Sequence, residues 1–261
     1  MKLRTLPVIA TLLAGAFPIA AADVPFTQTR ADGPKTLLIA YRCNPDRRAA
    51  LRTAMTSGGV AQFQRWKDGG VLKDYRILFN SYLDSDTYDM LTFLTFAEFG
   101  DVAKWREIEK TSPGGLSPQA LKLITSAITY PLDAARAATS SAQPLRGKSV
   151  FFIIEYDYLV STDDYVNYLD TYVVPQVKGW MAENVLAAYT MYMGRYATGR
   201  PWSSLFLLEY RDHQAFGRRE ATVQKIREKL KQNPTWLAAS ESKQKIRVEK
   251  HTIIAEELLP Q

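Results

Sequence analysis

The segment Val60-Ala61-Gln62-Phe63-Gln64-Arg65-Trp66 returns further along the chain as Val174-Pro175-Gln176-Val177-Lys178-Gly179-Trp180, with valine, glutamine and tryptophan at the same spacing. At this shift of about 114 residues the match continues without a gap, pairing Val71-Leu72 with Val185-Leu186, Tyr75 with Tyr189, Tyr82 with Tyr196, Leu91 with Leu205 and Leu94 with Leu208. Upstream, Leu38-Ile39-Ala40-Tyr41 meets Ile153-Ile154-Glu155-Tyr156 after an adjustment of one residue; downstream, Glu98 to Asp101 and Trp105 meet Glu209 to Asp212 and Phe216 after an adjustment of three. A self-match of this length, carrying large aromatic residues in register, marks two copies of one unit of roughly a hundred residues.

Each copy shows the same order of patterns. Lys35 to Cys43 and Ser149 to Tyr158 are short apolar and aromatic runs bounded by turn residues, which predicts strands. A helix start follows each: Asn44-Pro45-Asp46 offers a cap and then proline at the first helical position, and Ser161-Thr162-Asp163-Asp164 offers a cap with acids in the first turn. Gly58-Gly59 and Pro175 predict a break or kink late in these helices. Val71 to Tyr82 with Tyr88 to Phe96, and Val185 to Tyr196 with Ser203 to Tyr210, predict two hairpins, each followed by a helix capped by Asp101 or Asp212. The copies diverge at their ends. The second shows a last strand around Val248 to Ala255, whereas the first shows a helix over Leu116 to Ala127 and no clear fourth strand.

The order strand, helix, strand, strand, helix, strand is the ferredoxin-like unit. The chain therefore resembles the dimeric α+β barrel superfamily, in which two such units pack sheet against sheet as a homodimer or a fused tandem. The resemblance implies an α+β fold of two tandem ferredoxin-like units in a pseudo-dimeric barrel. It implies less about function, because the superfamily includes cofactor-independent monooxygenases, lactone isomerases and haem-binding chlorite-dismutase-like proteins. The expected organisation is a signal peptide over 1–22, a flexible N-terminus over 23–34, the first unit over 35–133, a linker over 134–148 and the second unit over 149–261.

The leader expectation comes from Lys2 and Arg4, the apolar run Val8 to Ile19 and the small residues Ala20-Ala21-Ala22, which together predict export and cleavage near Ala22 to a periplasmic or secreted protein. The run is too short for a membrane span, which needs about 20 apolar residues. Lys2 and Arg4 carry two of the six net positive charges, and the remaining Lys and Arg alternate with acids, a pattern that does not point to nucleic acid. Cys43 is the only cysteine, so the chain forms no internal disulfide.

Strand alternation sorts the candidate site residues. Val71, Tyr75, Ile77 and Phe79 share one face and Arg76, Asn80 and Tyr82 the other; Val185, Tyr189, Met191 and Met193 stand opposite Thr190, Tyr192 and Tyr196. The aromatic-polar face names Arg76, Asn80, Tyr82, Tyr192 and Tyr196 as ligand-binding candidates, set against ordinary packing between the sheets. Arg42 and Asp157 occupy equivalent positions, with Glu155 on the same face as Asp157; a charge pair across the pseudo-twofold axis that polarises a ligand is set against structural pairing or simple solvent exposure, which is preferred. Of the two histidines, His213 follows the capping Asp212, and His251 lies on the last strand; His251 and Arg76 are the catalytic candidates. Trp66 and Trp180 read as core anchors. No metal motif and no nucleotide loop is visible, so no cofactor is expected, with haem through one histidine as a third reading. The leading expectation is an exported protein that binds a small apolar or aromatic molecule between sheet and helices, with cofactor-independent oxidation or isomerisation as its chemistry. The competing one is a non-catalytic protein-interaction module.

Overall fold

The computed structural model describes residues 26–140 and 147–260; the expected leader lies outside them. Eight strands form one closed antiparallel ring in the order β1-β3-β2-β8-β5-β7-β6-β4. They are β1 (Thr36–Cys43), β2 (Asp74–Asn80), β3 (Met90–Thr95), β4 (Ile124–Thr139), β5 (Val150–Tyr158), β6 (Leu186–Gly194), β7 (Ser204–Tyr210) and β8 (Arg247–Glu257). The first unit contributes the run β4-β1-β3-β2 and the second β8-β5-β7-β6, the order of a ferredoxin-like sheet in both. The ring closes at two seams, β2 on β8 and β4 on β6.

Helices cover the outside. Ahead of β1 lies α1 (Phe26–Asp32). The first unit adds α2 (Arg48–Ala54), α3 (Val60–Asp68), α4 (Asp101–Glu109) and α5 (Pro118–Leu121); the second adds α6 (Thr162–Tyr168), α7 (Val174–Ala182), α8 (His213–Gly217), α9 (Arg219–Leu230) and α10 (Pro234–Ile246). The expected kinks are single π-turns: Met55–Gly59 joins α2 to α3, and Leu169–Val173 joins α6 to α7.

Four expectations are corrected. The chain before β1 is not a loose tail, since Phe26 of α1 is buried in the core of the second unit. The helix expected over Leu116 to Ala127 shrinks to α5, capped by the Ser117 hydroxyl, which accepts from the Ala120 N–H; the β-branched run Ile124-Thr125-Ser126-Ala127-Ile128-Thr129 then joins β1 as the missing fourth strand. That strand runs on to Thr139, through residues expected to be linker. Alanine-rich sequence is a weak strand former, but pairing with β6 satisfies its backbone there. The helix caps expected in the first copy do not form: Asn44 holds its cap position without a side-chain hydrogen bond, and Gly100 holds that of α4, with Asp101 in the first turn. Asp212 and Ser161 do cap their helices.

Three apolar cores result. One lies between each unit's sheet and its helices, and the third fills the barrel interior. The interior is packed across the two units: Phe93 stacks on Tyr192 at 5.6 Å and Tyr130 on Trp202 at 4.5 Å, and the hydroxyls of Tyr88 and Tyr130 lie 2.7 Å apart. At one end Arg76 Nη1 donates to Glu209 Oε2 at 2.7 Å, joining β2 of the first unit to β7 of the second.

Candidate functional site

In the second unit a cavity reaches the sheet beneath the helices. Its volume is about 310 Å³. The floor is Ile154 and Tyr156 of β5, Phe206 and Leu208 of β7, and Arg247 of β8; the roof comes from the α6–α7 helix, α9 and α10. The groove at the corresponding place in the first unit is lined by Gly58, Gly59, Gln62, Trp66 and Ile108 among others, and none of its lining residues belongs to a strand. That groove, about 820 Å³, is the larger of the two but stays outside the sheet. Gly115, at φ +74°, presses the chain onto the core so closely that a Cβ would lie 2.6 Å from Phe63 and 2.8 Å from Trp105.

The roof is built from helical spacing. Tyr165, Tyr168, Tyr172, Gln176 and Trp180 recur every three or four residues and point to the sheet, with the π-turn keeping the row aligned. Tyr158, Tyr165, Tyr168, Tyr172 and Trp236 form a continuous stack with neighbouring ring centroids 4.7, 6.1, 5.2 and 5.1 Å apart. The Tyr172 carbonyl accepts from Gln176 Nε2 at 2.8 Å and Trp236 Nε1 at 3.0 Å. Gln176 Oε1 in turn accepts from Arg227 Nε at 2.8 Å, so the glutamine of the repeated motif orients a cation at the cavity edge. Gly179 lets α9 approach α7, since a Cβ there would lie 2.6 Å from Ile226 Cγ2. This close contact holds Arg219 and Arg227 over the opening.

Arg247 opens β8, and its guanidinium carbon lies 4.0 Å from the ring centroid of Tyr156, 5.1 Å from Phe206 and 5.4 Å from Tyr168. These π faces stabilise the cation. Its Nη1 is buried without a hydrogen bond, as are Arg219 Nε and Trp180 Nε1. Burial holds the phenols of Tyr156 and Tyr168 above the usual tyrosine range, so both are neutral donors near neutral pH.

A second group of polar residues stands at one end of the barrel interior. Glu155 is 2% exposed, and its Oε2 lies 3.1 Å from His251 Nδ1. Burial raises the Glu155 carboxyl to about 7, opposed by the hydrogen bond and charge of His251. A bulge places the histidine: register steps from Ile154↔Thr252 to Tyr156↔Glu249, so β8 advances three residues where β5 advances two. Arg247 and Glu249 consequently face the cavity, while Ile253 and Ala255 face the barrel interior.

None of the residues named from strand alternation lines this cavity. Arg76 is in the Glu209 pair, and Tyr192, whose phenol burial pushes up to about 12, is packed on Phe93. Asn80 braces the β2–β3 loop by donating to Thr87 Oγ1 and the Tyr88 carbonyl. Tyr82 and Tyr196 are exposed side chains at equivalent loop positions, 62% and 74% accessible. Arg42 and Asp157 do not meet: Arg42 donates to the carbonyls of Ser85 and Asp86, and Asp157 pairs with Lys250 at 3.3 Å. His213 is an exposed first-turn residue of α8. Of the two repeated tryptophans, Trp66 packs edge-on against Phe63 and Trp105, whereas Trp180 lines the cavity. Cys43 is half-buried, its thiol pushed up to about 12 by burial and Asp89. The residues that alternation missed are Arg219, Arg227 and Arg247.

At the level of sequence, no family model and no curated protein matches the chain. Solved structures do match in fold. A candidate monooxygenase from Lactobacillus acidophilus NCFM superposes with a TM-score of 0.55 at 12% identity, over 88% of this chain and 97% of that one. An anthrone oxidase-like protein gives 0.53 at 14%, over 88% and 92%. This is the dimeric α+β barrel fold. A haem-binding protein from Thermus thermophilus gives 0.47 at 8%, over 86% and 91%, a likeness too slight to carry an argument. In this dimeric α+β barrel fold the two helix-side spaces differ: the one in the second unit reaches its sheet, and the one in the first unit does not.

Proposed function

We propose that the protein is exported, with cleavage near Ala22, and binds a small aromatic molecule in the sheet–helix cavity of its second unit. The observation that carries the binding reading is the 310 Å³ space lined by Tyr156, Tyr172, Trp180 and Phe206, which reaches the strands of its sheet, whereas the larger groove at the corresponding place in the first unit touches no strand residue. Aromatic rings on floor and roof give stacking surface to a flat ligand, and Gln176 and the arginines supply the few polar groups that orient one. Haem does not fit this site by ligand chemistry. No histidine, cysteine or methionine lines the cavity, and its two tyrosines are engaged, Tyr156 against Arg247 and Tyr172 between Tyr168 and Trp236.

Oxidation of the bound molecule without a cofactor, the chemistry suggested by the names of the monooxygenase and anthrone oxidase-like neighbours, rests on likeness of fold alone. The test of the binding reading is native mass spectrometry of the protein recovered from its exported pool. A retained small aromatic molecule, lost in Trp180→Ala, is the expected result. An apo mass, together with no thermal shift against a panel of polycyclic phenols and acids, would overturn the reading. The mass of the exported chain reports the cleavage site in the same experiment.

A further inference from the structure

Four cationic side chains line the cavity, Arg219, Arg227, Lys243 and Arg247, against the single carboxylate of Glu249. Among the described residues no carboxylate lies within 4 Å of the Arg247, Arg227 or Lys243 cations, and Arg219 pairs only with its chain neighbour Glu220. The buried polar atoms of lining residues that lack a hydrogen bond are Arg247 Nη1, Arg219 Nε and Trp180 Nε1. All three are donors, and no lining residue has an unmet buried acceptor. A buried cation without a counter-ion is costly, and aromatic faces compensate it only in part. This pattern is not a property of the repeated fold, because the corresponding groove of the first unit carries one cation, Arg65, and Ile108 stands where the repeat places Arg219.

Resting on the binding reading above, we infer that the ligand is an anionic aromatic compound, a carboxylate or an acidic phenol, whose charged oxygen docks toward Arg247 with Arg219 and Arg227 closing over it. The aromatic body lies between Tyr156, Phe206 and Trp180, and the charged oxygen meets Arg247 Nη1, Arg219 Nε and Trp180 Nε1, for which the protein offers at best the Tyr165 and Tyr210 hydroxyls and no charged acceptor. A neutral analogue of the same shape keeps the stacking and loses the charge-assisted hydrogen bonds.

Isothermal titration with 2-naphthoate and with the neutral 2-naphthamide separates charge from shape. The expected result is at least tenfold tighter binding of 2-naphthoate, with the ratio falling as salt is raised. Arg247→Met should bring the two affinities together. Arg227→Gln, at an exposed position outside the packed core, should lower the ratio two- to threefold and serves if Arg247→Met does not fold. Equal affinities for the two probes in the wild-type protein would overturn the anion inference and leave the binding reading standing. Binding of neither probe up to millimolar concentration would overturn both.

Discussion

Replacing Arg76 by methionine tests whether this side chain holds the two units together rather than meeting a ligand. Its Nη1 lies 2.7 Å from Glu209 Oε2, its guanidinium carbon is 4.9 Å from the centroid of the Phe151 ring, and Glu209 Oε1 accepts from Ser149 Oγ at 2.9 Å. The glutamate side chain is 6% exposed and the arginine 33%. Removing one partner of a buried pair costs about 3–5 kcal/mol, because a charge is left in a poorly solvated place. The partial exposure of Arg76 lets water reach its end of the pair and argues for the low end, about 3 kcal/mol. For a chain of this size that is a fall in Tm of roughly 6–12 °C. Arg76→Met/Glu209→Gln, which removes both charges, should recover most of the loss, to within about 1 kcal/mol of wild type. Urea denaturation of the three variants measures both figures, and probe titration reports the cavity separately. A single variant within about 0.5 kcal/mol of wild type, or a double variant no better than the single, would refute the assignment.

The pH response of Glu155 has a definite sign. Its folded pKa, about 7, lies above the unfolded value of about 4.3, so the stability it contributes is fully present below the unfolded pKa and is lost as pH rises through the folded one. Glu155→Gln should therefore gain on wild type between pH 5 and pH 8, by up to about 3 kcal/mol; parallel denaturation profiles at the two pH values would count against the buried carboxyl. Asp157→Asn should change stability by less than about 1 kcal/mol, since its Lys250 partner and Asp157 itself are each about a third exposed, and a larger loss on thermal melting would contradict that pairing. Gly179→Ala forces a methyl to 2.6 Å from Ile226, predicting a loss of about 1–3 kcal/mol by denaturation as α9 is pushed off α7. The same variant should bind any cavity ligand more weakly; unchanged stability and affinity would show that the contact relaxes freely.

The architecture was legible because each unit states it independently. The strand runs and the Val-x-Gln-x-x-x-Trp motif recur, and pattern errors in one copy can be checked in the other. The places that misled are those where the copies differ. Alanines from Ala134 to Ala138 look like linker until β6 supplies a pairing partner, a non-local fact that local propensity does not carry. The site was half legible: Gln176 and Trp180 stood out through the repeat and do line the cavity. Arg247 was hidden by the bulge. Strict alternation along β8 puts it on the same face as His251, and one additional residue in the strand sends the two to opposite sides of the sheet. Arg76 and Tyr192 were sorted to the correct face, but that face encloses a packed interior, and packing density is not written in alternation.

The π-turns Met55–Gly59 and Leu169–Val173 occupy identical positions when the copies are aligned at a shift of about 114 residues. A π-turn accommodates an additional residue within a helix, leaving the turns on either side intact. The same insertion arising twice at one position is far less economical than once in a single ancestral unit. The order of events follows: the lengthened helix came before the tandem copy, and the differences in lining and charge between the two helix-side spaces came after it. The tyrosine row of the second unit is thus built on a turn that both copies carry.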